Sequence, residues 1–345
     1  LRKIKSLSRN VAQIRNSNSI VMNKHNKQNR IIFDEGHGAW RTEEKARGLI
    51  KRIKNAGFNI FVPCVWHGDG TRYESSLAPS ASYKGPGDPL ETLIRIAHEN
   101  DIEIHPWFTV VYRSREFLKE YYDEDNNPNS FDVYRPEFRN FIVNLMTDVV
   151  VRYDIDGINL DYIRTMERPR SEYAKKLYKD TYGRNLEQDK KTYDKYGGLE
   201  PHLQEFIDNA VDDIVVQLSK NVRRIKPNVI ISVDGHPEPS FFPSSYEGRK
   251  EVVWANNGLI DIIFNMSYEN DLDLERIDLV YKELRDPSKM IVLAANFDKQ
   301  DGNMFPRSPR LVAKTMNVIL NRWGNGVALY PYSYLSDEHI EVLLS

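Results

Sequence analysis

Three carboxyl side chains close short hydrophobic runs of this sequence: Asp161 in DGINLDYI (156–163), Asp234 in VIISVDGH (229–236) and Glu269 in DIIFNMSYE (261–269). Side chains of a strand alternate between its two faces. Asn159 and Asp161 therefore share a face opposite Ile158 and Leu160, and Ser232, Asp234 and His236 share one opposite Ile231 and Val233. In the third run Asn265, Ser267 and Glu269 oppose Ile262, Phe264 and Met266. Polar side chains gathered on one face at strand ends are costly in a core, so a reactive site is the economical explanation. Two carboxyls can cleave a glycosidic bond, one giving a proton to the departing oxygen and one acting as nucleophile or base. Adjacent strands lie about 4.8 Å apart. Asp161 with Asp234 then suits the roughly 5–5.5 Å of retaining chemistry, and Asp161 with Glu269, two intervals away, the roughly 6.5–9.5 Å of inverting chemistry. The sequence leaves both pairs open.

Other residues qualify as the surroundings of such a pair. His105 and Trp107 fall on one face of EIHPWFTV (103–110), and Arg164 follows Asp161 closely enough to hold it ionised. Asp156, of opposite parity at the start of its run, reads as structural. Trp40, Trp66, Trp107, Tyr112, Tyr162, Tyr268, Tyr330 and Tyr332 fall at or near strand ends, where flat rings with polar tips suit the apolar faces of sugars. Arg72, Lys84, Arg113, Arg115, Arg164 and Arg168 hint at an acidic glycan, although solvated surface charge explains them equally well.

The elements that would position these groups alternate regularly. Strand-like runs at 30–34, 59–66, 103–110, 156–163, 229–236, 261–269, 289–297 and 326–332 are separated by helix-like segments. Those segments cover about 42–56, 88–100, 136–153, 201–225, 245–257, 273–285, 309–322 and 337–344. Thr42 before Glu43 and Glu44 reads as an N-cap, and Gly57 and Gly258 as C-terminal glycines. Eight β-then-α units predict a single-domain α/β fold, a (β/α)8 TIM barrel over 30–345, whose reactive groups sit at the strands' C-terminal ends. An open doubly wound sheet is the rival, and no Gly-rich dinucleotide turn follows any strand. A charged, tyrosine-bearing insertion at 165–200 follows the fourth strand and is expected to wall the site. Residues 1–29, polar and basic, read as a flexible leader.

Composition narrows the function classes. The 345 residues carry 48 basic and 50 acidic side chains, so no global field favours nucleic acid or an anionic membrane. No run of roughly 18 apolar residues offers a membrane span. The single cysteine, Cys64, rules out an internal disulfide or a cysteine metal cluster and reads as a small buried hydrophobe. Its scarcity fits an extracytoplasmic setting, and a chain opening at Leu1 reads as trimmed, with room for a signal or anchor upstream. No cofactor or metal is expected, and the expected partner is a polysaccharide or oligosaccharide.

Segment 57–112, with WHGDGTRY, GPGDPL and EIHPWF, resembles the family-10-like glycosyl hydrolases of bacteria, which show an HGDAxY turn, a DPL stretch and an EVHAWF strand. The likeness continues through RPEFRNFIVNLMTDVVVRYDIDGINLDYIR (135–164), WANNGLIDIIFNMSY (254–268) and GVALYPYSYL (326–335). It implies a (β/α)8 barrel acting on polysaccharide outside the cytoplasm. Asp161 would match the family's strand-four aspartate, and His67, Asp69, His105, Trp107 and Tyr268 its groove positions. Two segments depart from the pattern. FDEGHGAW replaces a plain RGxW and brings Asp34, Glu35 and His37 near the site, and SVDGHPEP stands where an SPFG-like turn is common. The resemblance therefore assigns no role to Asp234 or Glu238. Two further readings are a metal-dependent deacetylase or hydrolase using His37, His67, His105 and His236 with Asp34 or Asp234, and a non-catalytic sugar-binding barrel. No HExxH spacing supports the metal reading.

Overall fold

The computed structural model describes residues 28–80, 87–193, 197–242 and 246–344. Its strands are β1 Asn29–Asp34, β2 Ile60–Trp66, β3 Glu103–Ile104, β4 Trp107–Thr109, β5 Gly157–Asp161, β6 Ile230–Gly235, β7 Ile262–Ser267, β8 Met290–Ala295, β9 Phe297–Gln300, β10 Asn303–Pro306 and β11 Gly326–Tyr330. The helices are α1 Glu43–Asn55, α2 Pro89–His98, α3 Pro136–Arg152, α4 Glu172–Tyr182, α5 Leu186–Asp189, α6 Pro201–Ile225, α7 Glu251–Asn256, α8 Leu274–Glu283, α9 Pro309–Trp323 and α10 Asp337–Leu344.

Eight strand positions run parallel and close on themselves, because β1 pairs with both β2 and β11. This is the expected (β/α)8 barrel. The third position is split into β3 and β4, both on β2, around Pro106, which has no N–H to give the ladder. Thr42 caps α1 by accepting from the Lys45 N–H, and Gly57 and Gly258 adopt φ of +78° and +73° after their helices. Of the expected leader, residues 1–27 lie outside the described residues, while Asn29 already opens β1.

Two packed layers hold the barrel. Ile31, Phe33, Val62, Cys64, Trp107, Ile262, Phe264, Ile291 and Leu293 fill the interior. Ile32, Phe61, Phe108, Ile158, Leu160, Ile231, Val233, Ile263 and Val327, of opposite parity, meet the helices. Both faces are thus largely apolar, as a covered parallel sheet requires, except for the inner faces of β5 and β6, which carry Asn159, Asp161, Ser232 and Asp234. Cys64 is the buried strand residue expected of it. Asp156 is structural, accepting the Ile104 N–H at 2.9 Å and facing His98 Nε2 at 2.8 Å.

The connections depart more from expectation. The segment expected to be helical over 245–257 forms only the short α7. Gly248 turns the chain at φ +69°, so 246–250 stays irregular and reaches the barrel mouth. The insertion 165–200 folds into α4 and α5, but none of its described residues lines the mouth cavity. It packs outward, Tyr178 meeting Phe206 of α6 at 5.2 Å between ring centroids. The antiparallel hairpin β9–β10 was not foreseen.

Candidate active site

A cavity of about 470 Å³ opens at the C-terminal ends of the strands. Asp161 ends β5 and Asp234 comes near the end of β6, and the pairing of Asn159 with Ser232 and Leu160 with Val233 sets the two carboxyls side by side. Both line the cavity, and both are at least nine-tenths buried. Burial pushes Asp161 above the usual carboxylate range, opposed by the Tyr162 N–H and by the Arg164 charge. Burial and then the Asp161 charge hold Asp234 well above that range, opposed by a hydrogen bond from Asn159. Two carboxyls in one dry site cannot both ionise readily, so the pair keeps a proton that an ordinary carboxyl has lost.

The residues beneath the pair orient it. Asn159, fully buried, donates to Ser232 Oγ at 3.0 Å and to Asp234 Oδ1 at 2.9 Å. The Tyr162 N–H donates to Asp161 Oδ1 at 2.7 Å, and Tyr162 adopts φ +49°, a left-handed conformation uncommon for a side chain of its size. The Trp107 indole N–H approaches Asp161 without a fully formed hydrogen bond.

Aromatic rings make up much of the wall. Trp107, Tyr112, Tyr162, Tyr268 and Tyr330 line the cavity, with Tyr330 6.0 Å from Trp107 and from Tyr268 and Tyr112 5.0 Å from Tyr162, between ring centroids. Burial raises the Tyr268 phenol well above its ordinary range, and the charges of Asp234 and Asp161 add to this. His67 and His236 also line the cavity. Burial, then the Arg249 charge, lowers the His236 pKa.

Arg164 lines the cavity but forms an ion pair with Glu247, which also pairs with Arg249 at 2.5 Å. Its charge acts on Asp161 in the expected direction, but burial outweighs it and the carboxyl stays above its usual range. The other basic residues that suggested an acidic glycan are also engaged. Arg72 pairs with Asp69 at 2.8 Å, Arg113 donates to backbone oxygens and lies over Tyr122, Arg115 donates to the Asp69 carbonyl, and Arg168 donates to Tyr193. Lys84 lies outside the described residues.

Several expected positions fall elsewhere. On β7 the inward face carries Ile262, Phe264, Met266 and Tyr268, so Asn265 and Ser267 face the helices and Glu269 is exposed beyond the strand, off the cavity wall. His105 is buried deep in the barrel, where a Cβ on Gly157 would come within 2.5 Å of its Nδ1, and it does not reach the cavity. Asp69 braces Arg72 in the turn after β2, and Tyr332 packs into the helix-side core. Trp40 and Trp66 are also buried in that layer. The four histidines of the metal reading do not converge: His37 packs on Trp40 at 4.5 Å, His67 faces Glu35, His105 is deep, and His236 stands on β6's side of the mouth. Among the described residues no group of three His, Cys, Asp or Glu side chains is arranged to hold a metal ion.

Glu35, Glu247, Arg249 and Met266 also line the wall, beside the apolar Phe33, Ile163 and Leu293, and none of these is singled out by the sequence as a site residue. FDEGHGAW did place Glu35 nearby. Glu247 and Arg249 gave no signal, being hidden in a segment that reads as helix.

The Glycosyl hydrolase-like 10 family matches residues 31–280. The chain belongs to that family. It is 25% identical over 203 residues to glycosyl hydrolase YngK of Bacillus subtilis strain 168, covering 52% of this chain and 37% of that protein. It is 24% identical over 236 residues to glycosyl hydrolase DigH of Escherichia coli K12, covering 56% and 49%. The matches thus span half or less of these relatives' lengths. Among solved structures, the glycoside hydrolase domain of PgaB (BpsB) from Bordetella bronchiseptica superposes with a TM-score of 0.64 at 14% identity, over 92% of this chain and 98% of that one. The catalytic domain of a β-amylase from Paenibacillus polymyxa gives 0.59 at 11%, over 90% and 94%. At such identities these two likenesses speak for the barrel alone. As expected from sequence, the chain is a glycoside-hydrolase-like barrel. No helix among the described residues is long and apolar enough to cross a membrane.

Proposed function

We propose that this protein hydrolyses glycosidic bonds of a bacterial polysaccharide, with Asp161 delivering the proton to the departing oxygen. The observation that carries this reading is the buried Asp161–Asp234 pair on the floor of an aromatic-walled cavity. A glycosidase needs a carboxylic acid that is still protonated near neutral pH. Burial supports Asp161 in that role by pushing its pKa up to about 6, and a neutral Asp234 beside it adds no opposing charge. Tyr268 and Tyr330, standing by the acids, suit the apolar face of a sugar ring. Asn159 and the Tyr162 N–H act as positioning groups.

The test is hydrolysis of a panel of neutral, anionic and N-acetylated bacterial polysaccharides, followed by Asp161→Asn. The expected outcome is reducing-end release by the wild type, a loss of turnover of at least about a hundredfold in the variant, and retained binding in affinity electrophoresis. Undiminished turnover by the variant removes Asp161 from the mechanism. Binding by the wild type without turnover favours a sugar-binding barrel instead.

A further inference from the structure

We infer that Glu35 is the second reacting carboxylate of the cavity, accepting the proton of the water that attacks the anomeric carbon. This rests on the glycosidase reading above and names the group that reading leaves open. Glu35 directly follows β1 and lines the same cavity as Asp161, with its side chain 46% exposed. Its two oxygens are each held. His67 Nε2 lies 2.9 Å from Oε1, and the Tyr330 hydroxyl donates to Oε2 at 2.8 Å. These contacts hold the carboxylate at both oxygens and leave each oxygen further acceptor capacity. The hydrogen bond with His67, then that charge and the Tyr330 hydroxyl, keep Glu35 below the usual carboxylate range although burial opposes them.

Asp234 is poorly suited to that task. It is 5% exposed, bound to Asn159, and retains a proton beside Asp161, so a water has little access to an ionised oxygen there. Glu35 and Asp161 differ in both respects, one ionised and wet, the other buried and acidic. Environments that push two carboxyls apart in this way separate base from acid.

Topology agrees with the division. Glu35 belongs to the first barrel position and Asp161 to the fourth, three intervals around the ring. At about 4.8 Å per interval that is roughly 14 Å of arc, which two inward side chains shorten toward the roughly 6.5–9.5 Å between the carboxyls of inverting enzymes. The step balances without a co-reactant other than water. The water oxygen forms a bond to the anomeric carbon and gives a proton to Glu35. The bond from that carbon to the departing oxygen breaks, and that oxygen takes the proton of Asp161. Afterwards solvent returns both carboxyls to their starting states. His67 and Tyr330 are positioning residues in this scheme.

The experiment uses the first polysaccharide of the panel that the wild type cleaves. Early product is followed by proton NMR for its anomeric configuration, and Glu35→Gln and Glu35→Gly are assayed with and without sodium azide. Expected are inversion by the wild type, a loss of at least about a hundredfold in Glu35→Gln with an unchanged melting temperature, and restoration of Glu35→Gly by azide with a glycosyl azide of inverted configuration. Retained configuration, or Glu35→Gln activity within tenfold of wild type while Asp161→Asn is silent, overturns the assignment of Glu35 and leaves the glycosidase reading standing. A wild type that cleaves no member of the panel overturns both.

Discussion

Asp161 depends on its neighbours for both position and proton. The amide that holds its Oδ1 belongs to Tyr162, whose left-handed backbone costs on the order of 1 kcal/mol or more. Such a conformation persists only where surrounding contacts impose it, and here it lies beside the proposed acid, Asp161. Asn159 supplies the other constraint, and replacing it gives a test with a definite sign. Its hydrogen bond favours the ionised form of Asp234. Asn159→Ala therefore makes Asp234 hold its proton more firmly, leaving Asp161 protonated less often, and the alkaline limb of the kcat–pH profile, set by Asp161, should move to lower pH. Leaving Asp234 Oδ1 and Ser232 Oγ short of a partner should also cost about 1–3 kcal/mol, measurable by urea unfolding. A profile that does not move would show that Asp234 takes no part in the proton inventory. Both aspartates were legible in the sequence because each shares a face with polar residues against an apolar opposite face. Glu269 was misplaced by the same rule, since on β7 both faces are apolar enough to pack and Asn265 and Ser267 are tolerated on the helix side. Polarity alternates informatively only where the two environments differ, and a barrel strand buried on both sides removes that difference.

The elements themselves were the most legible level. Seven of the eight helical segments end within about three residues of expectation, because capping residues and left-handed glycines punctuate the chain at points such as Thr42 and Gly258. The exception is the segment before α7, where Gly248 breaks a helix-like pattern and Glu247 and Arg249 gain their places on the cavity wall. A hydrophobic pattern reports which residues pack and is silent on where an irregular stretch will lead. Gly157 gives a prediction at this scale. A methyl group there would fall 2.5 Å from His105 Nδ1 in the closed interior, so Gly157→Ala should force β5 away from β4. Overpacking of this kind costs roughly 1–3 kcal/mol. Thermal unfolding should register it as a lower melting temperature, and kcat should fall as well, because Asp161 lies four residues further along the same strand.

Closure of the barrel joins the two ends of the described chain. Asp34 ends β1 near the backbone amides of Gly36 and of Ser333 in the turn after β11; burial pushes its pKa up to about 7 although those amides oppose it. The folded state therefore binds a proton that the unfolded chain releases near pH 4. The sign follows from linkage. This contribution to stability is fully present below the unfolded pKa and is lost as pH rises through about 7, by at most about 4 kcal/mol. Asp34→Asn, which is of nearly the same size and does not ionise, should gain on the wild type as pH goes from 5 to 8 in chemical denaturation; a constant difference would show that Asp34 stays ionised in the fold. On the outside, Arg52 of α1 donates to the Leu335 carbonyl at 2.7 Å and pairs with Asp337 of α10, a second tie between the first and last units.

That Tyr330 of the final strand grips Glu35 of the opening one has a temporal side. During synthesis the first strand emerges with one edge bare, and it stays so for almost three hundred residues until β11 arrives to cover it. Up to that moment Glu35 has His67 on one oxygen but lacks the Tyr330 hydroxyl on the other, so a ribosome product that stops short of the last strand is both open-edged and without that contact. The seam of the barrel thus couples finishing the chain to fixing Glu35 on the cavity wall.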